Sequence, residues 1–203
     1  TPRVDKEILE KYAEGLICLS GSLTSRISQS IVHDRKSEVE KEIAWPKKVF
    51  KDDFYLELQR HRMSDEMIAL DKITQESWLY QSYFDRIQHQ EKVIEAMSKI
   101  SKESGVPCVV TNDIHYLQRE DWKAHEILMN IQSGEPCEIA QYDSYGSLKT
   151  RSLNPKRRVL PTHEHYFKSP KQMEELFADY PQAVSETLKI AEKCEFEMDF
   201  SAR

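Results

Sequence analysis

Apolar residues recur along this chain in two periods, which together predict alternating strands and helices. The apolar runs GLICLSG, from Gly15, and VPCVVT, from Val106, are typical of buried strands. The stretch DFYLELQ, from Asp53, alternates as a strand does. Spacings of three and four residues predict helices between these strands, among them residues 83–104, which end before Gly105. Strand and helix in alternation indicate parallel strands with covering helices, so we expect an α/β protein, either an open sheet or a barrel.

The second half of the chain changes character after Glu135. About thirty residues of turn formers and charges predict an irregular segment, because a loop of this length is unusual in a compact domain. Ser169, Pro170 and Gln172 then form the pattern of a capping box. Two helices are predicted after it, near residues 170–178 and 181–194, and we expect them to form an appendage outside the main sheet.

Composition and charge exclude several classes of protein. The 203 residues carry a formal charge of −6, so no general basic field attracts nucleic acid or an anionic membrane. No apolar run approaches the ~20 residues of a membrane span. The first residues include neither an apolar signal core nor an initiator Met, which predicts a segment of a longer chain. The four cysteines form no CxxC motif, and buried thiols are expected in a reducing cytoplasm.

Asp113 and His115 are the strongest candidates for chemistry. They follow the predicted strand VPCVVT two residues apart, and such a spacing in extended chain directs both side chains to the same side. Catalytic groups collect at the carboxyl ends of strands in α/β folds. A carboxylate and a neutral imidazole suit zinc, manganese or iron. Two ligands do not complete a site, however, and a polar strand end that caps the next helix is the alternative.

Other candidates are weaker. Ser22 follows the first predicted strand, but a hydroxyl is a poor ligand for a soft cation. Glu57 and His61 follow the second, where a solvated carboxylate and a loop histidine are the simpler interpretation. A solvated turn is likewise the simpler interpretation of His163 and His165 in their charged segment.

Two further features have structural explanations. His125 lies on a predicted helix and is expected to pack or cap. The basic run NPKRR, residues 154–158, suits phosphate but is more often a solvated loop in an acidic chain. The motifs GxxxxGK[ST], GxGxxG and GxSxG are absent, so phosphate-loop, dinucleotide and serine-hydrolase functions have no support.

Longer stretches of the sequence resemble one known family. VVTNDIHYLQREDWKAHEILMNIQSGE closely resembles the end of the PHP (polymerase and histidinol phosphatase) domain in the alpha subunits of bacterial DNA polymerase III. YAEGLICLSGSL and FYLELQRH are similar to earlier strands of that domain, and HYFKSPKQMEELF begins a passage similar to the one that leaves it. These stretches occur in the family's order and cover most of the chain.

The resemblance implies a fold and a division of the chain. It implies part of a distorted β/α barrel of the PHP type, followed by a helical connection toward a polymerase palm. Residues 1–135 would be the C-terminal part of the barrel, residues 136–168 an irregular connection, and residues 169–203 a helical segment leading toward the palm.

The resemblance also implies site residues. Asp113 and His115 match the final Asp-x-His of the family's metal ligands, for which zinc or manganese is expected. The family commonly has Cys where this chain has Ser22, so a soft ligand is missing and the site is expected to be partial or vestigial. The family's other ligands, including a His-x-His, would lie upstream of Thr1.

The function implied is that of a replicase component. The parent chain is expected to be a DNA-directed DNA polymerase, a nucleotidyltransferase that uses magnesium outside this chain. The segment itself is expected to be a non-catalytic cytoplasmic scaffold, with no membrane partner. Its expected partners are the proofreading exonuclease subunit and other replicase subunits, with DNA and deoxynucleotides bound by the parent. The alternative is an active metal-dependent PHP phosphoesterase or 3′–5′ nuclease.

Overall fold

The computed structural model describes residues 3–197 and 200–201 of the chain. The helices are α1 (Lys6–Lys11), α2 (Arg26–Val32), α3 (Lys36–Phe50), α4 (Asp65–Asp71), α5 (Ser77–Ser104), α6 (Trp122–Ser133), α7 (Pro170–Leu176) and α8 (Pro181–Lys193). The strands are β1 (Cys18–Leu19), β2 (Phe54–Gln59), β3 (Cys108–Thr111), β4 (Glu138–Tyr142) and β5 (Leu148–Leu153). Two compact units contain these elements, the first formed by Thr1–Arg60, Gln88–Thr111 and Ser169–Arg203, the second by His61–Ile87 and Asn112–Lys168.

The first unit is built on a parallel sheet with the strand order β1-β2-β3. Its central strand is buried on both faces: Phe54, Leu56 and Leu58 are fully buried on one face, and Tyr55 is buried on the other. Burial on both faces is expected of a parallel sheet, because its crossover helices cover both sides. The predicted α/β class and the three predicted strands are confirmed.

Helices α7 and α8 belong to the core of the first unit, so the prediction of an appendage outside the main sheet is wrong. Phe177, at the end of α7, is fully buried in the apolar cluster of the sheet, and α8 packs against β3. Arg60 stabilises this packing. Its guanidinium donates to the Leu176 carbonyl at 2.7 Å, to Asp179 at 2.9 Å and to Glu91 at 2.8 Å. The apolar face of the sheet must be buried, but nothing in the local sequence of residues 169–194 indicates that α7 and α8 bury it.

The predicted ends of several helices are confirmed. Ser169 Oγ accepts the backbone N–H of Gln172 at 3.3 Å, and the Gln172 side chain accepts the N–H of Ser169 at 2.8 Å. Gly105 and Gly134 follow α5 and α6 with φ of +73° and +76°, a backbone conformation that favours glycine. None of the helices in the described part of the chain combines the length and the apolar character that crossing a membrane requires.

The second unit has a small apolar cluster of its own. Met63, Ile73, Leu79 and Tyr83 form the buried part of the apolar cluster. The segment predicted to be irregular, residues 136–168, contains the antiparallel hairpin of β4 and β5. Both strands are largely exposed, so the hairpin has no alternating apolar pattern by which the sequence could indicate it.

Candidate metal centre

Asp113 and His115 point toward each other in the second unit, as their spacing predicts. The His115 Nε2 atom lies 3.2 Å from the Asp113 Oδ2 atom, and both side chains are partly exposed. The backbone around them is fixed by a neighbouring segment: His115 N–H donates to the His165 carbonyl at 2.8 Å, and Tyr116 forms a parallel bridge with Tyr166. The bridge aligns two segments that are fifty residues apart in sequence.

His165 joins this pair, so the interpretation of His163 and His165 as a solvated turn is wrong. Both side chains are buried, His165 completely. The His165 Nδ1 atom lies 2.9 Å from the Asp113 carbonyl oxygen and 3.7 Å from its Oδ2 atom. One ligand atom from each of Asp113, His115 and His165 lies within 4.8 Å of the other two. We call these three residues the histidine cluster.

The histidine cluster contains a buried nitrogen that is not hydrogen bonded. A neutral imidazole with its proton on Nδ1 donates to the Asp113 carbonyl, which leaves Nε2 of His165 as the acceptor. That Nε2 is buried and has no hydrogen-bond partner among the described residues. The Nε atom of Arg86 is likewise buried and has no hydrogen-bond partner among the described residues. The charge of Arg86 acts on both Asp113 and His165. Buried polar atoms usually have partners, so these two atoms are available to bond a ligand.

Burial favours the neutral imidazole of His61, His125 and His165. His61 stacks on His165 with ring centroids 4.2 Å apart. Burial, reinforced by the nearby positive charge of Arg86, lowers the pKa of His61 to about 2 and that of His165 to about 4. Burial and the neighbouring His115 also lower the pKa of His125. Neutral imidazole is the form that binds metals.

The donor set of the histidine cluster fits a divalent transition metal. One carboxylate and two imidazoles suit zinc, manganese or iron, whereas calcium and magnesium prefer oxygen ligands alone. Such a metal would be held by Asp113, His115 and His165, and it would supply a Lewis acid and an activated water. The chain's own contribution is to orient these side chains through the backbone bonds of His115 and His165.

Ser22 and Glu57 lie in the first unit and are hydrogen bonded there. Ser22 Oγ lies 3.0 Å from Thr24 Oγ1. Glu57 is half-buried and accepts from the Thr111 hydroxyl and, at 2.9 Å, from the Gln59 amide. The interpretation of Glu57 as a solvated carboxylate is therefore wrong. His61 does lie in a loop, as predicted, but it is fully buried.

His163 and His125 have structural surroundings. His163 stacks on Trp122 with ring centroids 3.9 Å apart, and its Nδ1 lies 2.8 Å from the Asp71 carboxylate. His125, on α6, packs its ring 5.0 Å from the ring of His115, which confirms the packing role predicted for it.

The basic run at residues 154–158 is not a solvated loop throughout. Arg157 is buried and donates to Glu76 at 2.6 Å and to Glu126 at 2.9 Å. Asn154 is buried as well, and its amide donates to the Pro136 carbonyl at 2.8 Å. Arg157 therefore stabilises the second unit and is already paired with two carboxylates.

Sequence reasoning missed His165 and Arg86 as members of the site. The sequence does contain the alternation His163-x-His165, but this spacing also occurs in exposed turns. Only the pairing of Tyr116 with Tyr166 places His165 beside Asp113. Arg86 lies in the middle of the long helix α5, where its charge looks like that of any solvated helical residue.

Comparison with known proteins finds one family model that matches part of the chain and relatives that match nearly all of it. Residues 1–61 match the family model of the PHP domain. Over its whole length the chain is similar to proteins named DNA polymerase III subunit alpha. It is 47% identical over 202 residues to the one from Chlamydia pneumoniae, 38% over 194 residues to that from Borreliella burgdorferi and 35% over 209 residues to that from Campylobacter jejuni. These alignments cover 96–100% of this chain but only 14–16% of the relatives, so the chain spans about one sixth of their length.

Proposed function

Because this chain is homologous over its whole length to a segment of DNA polymerase III alpha subunits, we propose that it is the PHP-containing segment of a replicative DNA polymerase. The observation that carries the proposal is the 47% identity that extends over 100% of the chain. The parent protein would add deoxynucleotides to a primer in the cytoplasm with magnesium bound outside this segment. The segment itself would be a scaffold that binds the proofreading exonuclease subunit and contacts other replicase subunits.

The proposed architecture is part of a distorted β/α barrel followed by a connection toward the palm. In this division, residues 1–135 are the C-terminal part of the barrel, residues 136–168 the connection, and residues 169–203 the segment that leads toward the palm. The parallel strands β1, β2 and β3 support the barrel, because PHP-type barrels are built from parallel strands with covering helices.

The charge of the chain supports a position away from the DNA. The formal charge is −6, and a face that grips DNA should be basic. Three arginines that could contact phosphate are already paired with carboxylates: Arg60 with Glu91 and Asp179, Arg119 with Asp71 and Glu164, and Arg157 with Glu76 and Glu126.

Isothermal titration calorimetry of the 203-residue chain with the exonuclease subunit of the same organism tests the scaffold proposal. We expect a saturable complex with one exonuclease per chain. The titration is repeated at high salt, which weakens an interface held by charges but not an apolar one. Primed duplex DNA is the control ligand, and we expect no binding to it. Tight binding of DNA together with no binding of the exonuclease would contradict the proposal.

A second candidate function is a metal-dependent phosphoesterase or 3′–5′ nuclease. The observation that favours it is the convergence of Asp113, His115 and His165, since a metal held by them would activate a water for attack on phosphorus. Ser22 counts against it, because the family commonly has Cys at that position.

Hydrolysis of a simple phosphodiester, bis(p-nitrophenyl) phosphate, tests this second candidate. If the site is active, hydrolysis with added zinc or manganese should exceed the rate of the Asp113→Asn variant at least about tenfold. Equal rates in the two proteins would leave the scaffold as the function of the segment.

A further inference from the structure

We propose that His165 binds a divalent transition metal together with Asp113 and His115, as a third ligand that the PHP resemblance does not assign. The inference deepens the proposed function, because it rests on Asp113 and His115 being metal ligands. It adds a residue from a segment fifty positions further along the chain. The ligand class is a borderline-soft cation such as zinc, and cobalt is its spectroscopic probe.

The three side chains lie about as close together as the ligands of a small metal. Two ligands at 2.0–2.1 Å from a tetrahedral metal lie about 3.4 Å apart. Asp113 Oδ2 lies 3.2 Å from His115 Nε2, and one ring nitrogen of His165 lies within 4.8 Å of a ligand atom of each of these residues. The His165 Nδ1 atom, 3.7 Å from Asp113 Oδ2, is bonded to the Asp113 carbonyl, so Nε2 is the nitrogen left for the ion.

The burial of His165 is the independent observation. Its side chain is fully buried, yet Nε2 has no hydrogen-bond partner among the described residues. A buried polar atom without a partner destabilises the fold, and a bound ligand removes this cost. Nδ1 is held by the Asp113 carbonyl, which fixes the ring against the cluster. The same arrangement, with one imidazole nitrogen bonded to a backbone carbonyl, orients histidine ligands in metal sites generally.

The proposed site is complete within the second unit and keeps an open position. Three protein ligands suffice for a catalytic zinc, whose fourth position is taken by water or substrate. No soft ligand is required from Ser22, so the loss of the family's cysteine does not prevent metal binding. The partial exposure of Asp113 and His115 gives an ion access to the cluster.

Titration of the metal-free chain with cobalt(II), followed by visible absorption, tests the inference. Wild type should bind one cobalt per chain with the intense ligand-field bands of a tetrahedral site. His165→Gln should raise the dissociation constant on the order of 100-fold or more, because even residues behind the ligands change affinity 10–100-fold. His125→Gln is the matched control, since its ring also lies beside His115 but outside the cluster, and its affinity should be unchanged.

A second measurement does not depend on how well the His165 variant folds. X-ray absorption of the zinc-loaded His125→Gln protein should show two imidazole nitrogens on the metal. One imidazole there would overturn the assignment of His165, as would unchanged cobalt binding by a folded His165→Gln protein; Asp113 and His115 would then keep their proposed role. Failure of wild type to bind metal would overturn both. Exonuclease binding tests the scaffold proposal separately from either outcome.

Discussion

Two polar clusters in the second unit use similar residues in opposite ways. In the arginine cluster, formed by Asp71, Arg119, His163 and Glu164, each carboxylate lies against a cation: Arg119 contacts Asp71 at 2.6 Å and Glu164 at 3.0 Å. The His163 Nδ1 atom also lies 2.8 Å from the Asp71 carboxylate. The histidine cluster has one carboxylate, two imidazoles and a buried Nε2 atom for which the described residues provide no hydrogen-bond partner. Paired charges stabilise the fold, whereas a buried nitrogen without a partner is suited to bind a ligand.

The two clusters also differ in the charge state that their surroundings favour. Although burial opposes ionisation, the hydrogen bonds of His163 and Arg119 lower the pKa of Asp71, and the bonds to Asp71 and Glu164 raise the pKa of Arg119. Asp71 and Arg119 are thus held in their charged forms. Burial instead lowers the pKa of His165 to about 4, so this member of the histidine cluster is held neutral. Burial opposes charge in both clusters, and only Asp71 and Arg119 have charged partners that outweigh it.

The largest expected effect comes from breaking the arginine cluster. Arg119→Met should lower the free energy of unfolding by about 3–5 kcal/mol, because the buried Asp71 carboxylate loses its arginine and Glu164 keeps only Lys168 as a counter-charge. The Asp71 side chain is only 4% exposed, so water cannot replace the arginine. Urea denaturation measures the loss. Arg119→Lys, the matched control, restores the charge but not the fork of donors and should recover only part of the stability. A loss below about 1 kcal/mol would contradict the structural role of this cluster.

Acid should weaken the histidine region before it weakens the arginine cluster. Since the folded pKa values of His61 and His165, about 2 and about 4, lie below the ordinary 6.5, the unfolded state binds more protons below pH 6.5. Stability is therefore full above pH 6.5 and falls on acidification, with a slope that approaches about 1.4 kcal/mol per pH unit for each histidine.

Urea denaturation at a series of pH values between 7 and 4.5 measures this slope. Asp71 contributes a loss only as the pH falls below its ordinary value of 3.8, so its titration lies outside this range. His165→Gln should flatten the profile. A wild-type profile with no decline between pH 6.5 and 4.5 would show that the histidines are not held neutral by burial.

Metal should stabilise the histidine cluster alone. At a zinc concentration one hundred times the dissociation constant, the free energy of unfolding should rise by about 2.7 kcal/mol, since the folded state binds the ion. Thermal denaturation with and without zinc measures this rise. The rise should vanish in Asp113→Asn and persist in Arg119→Lys, which separates the two clusters. An equal rise in Asp113→Asn would place the bound metal elsewhere in the chain.

The smallest effect is expected for an exposed arginine of the same unit. Arg151, on β5, lies 3.8 Å from Glu138, and both side chains are more than half exposed. Arg151→Ala should change the unfolding free energy by less than about 0.5 kcal/mol, because water screens the pair. The same urea denaturation compares it with Arg119→Met. A loss as large as that of Arg119→Met would mean that pairing matters more than burial.

Residues with strong local patterns could be predicted from the sequence. The strands β1, β2 and β3 follow from short apolar runs, and the start of α7 follows from the capping pattern of Ser169 and Gln172. The proximity of Asp113 and His115 follows from their spacing. In each case the information lies within a few residues, so no distant part of the chain had to be known.

Residues whose surroundings come from distant segments could not be predicted. Phe177 resembles any apolar residue of an amphipathic helix until the sheet that it covers is known. His163 and His165 lie in a charged segment, and their burial depends on Trp122 and Asp71 in one case and on Asp113 in the other. A charged composition predicts exposure only when no partner is present, and partners are a property of the fold.

The sequence by itself determined the order of the three strands of the main sheet and the helices between them, the parallel arrangement of these strands and the pairing of Asp113 with His115. It did so because backbone periodicity and capping act over one or two turns of chain. Only the tertiary structure decided that α7 and α8 cover the sheet, that Arg119 is neutralised and that His165 stands beside Asp113. These contacts join residues from 45 to more than one hundred positions apart. They form because a buried polar group needs a partner and an apolar group needs burial, wherever in the chain the fold supplies them.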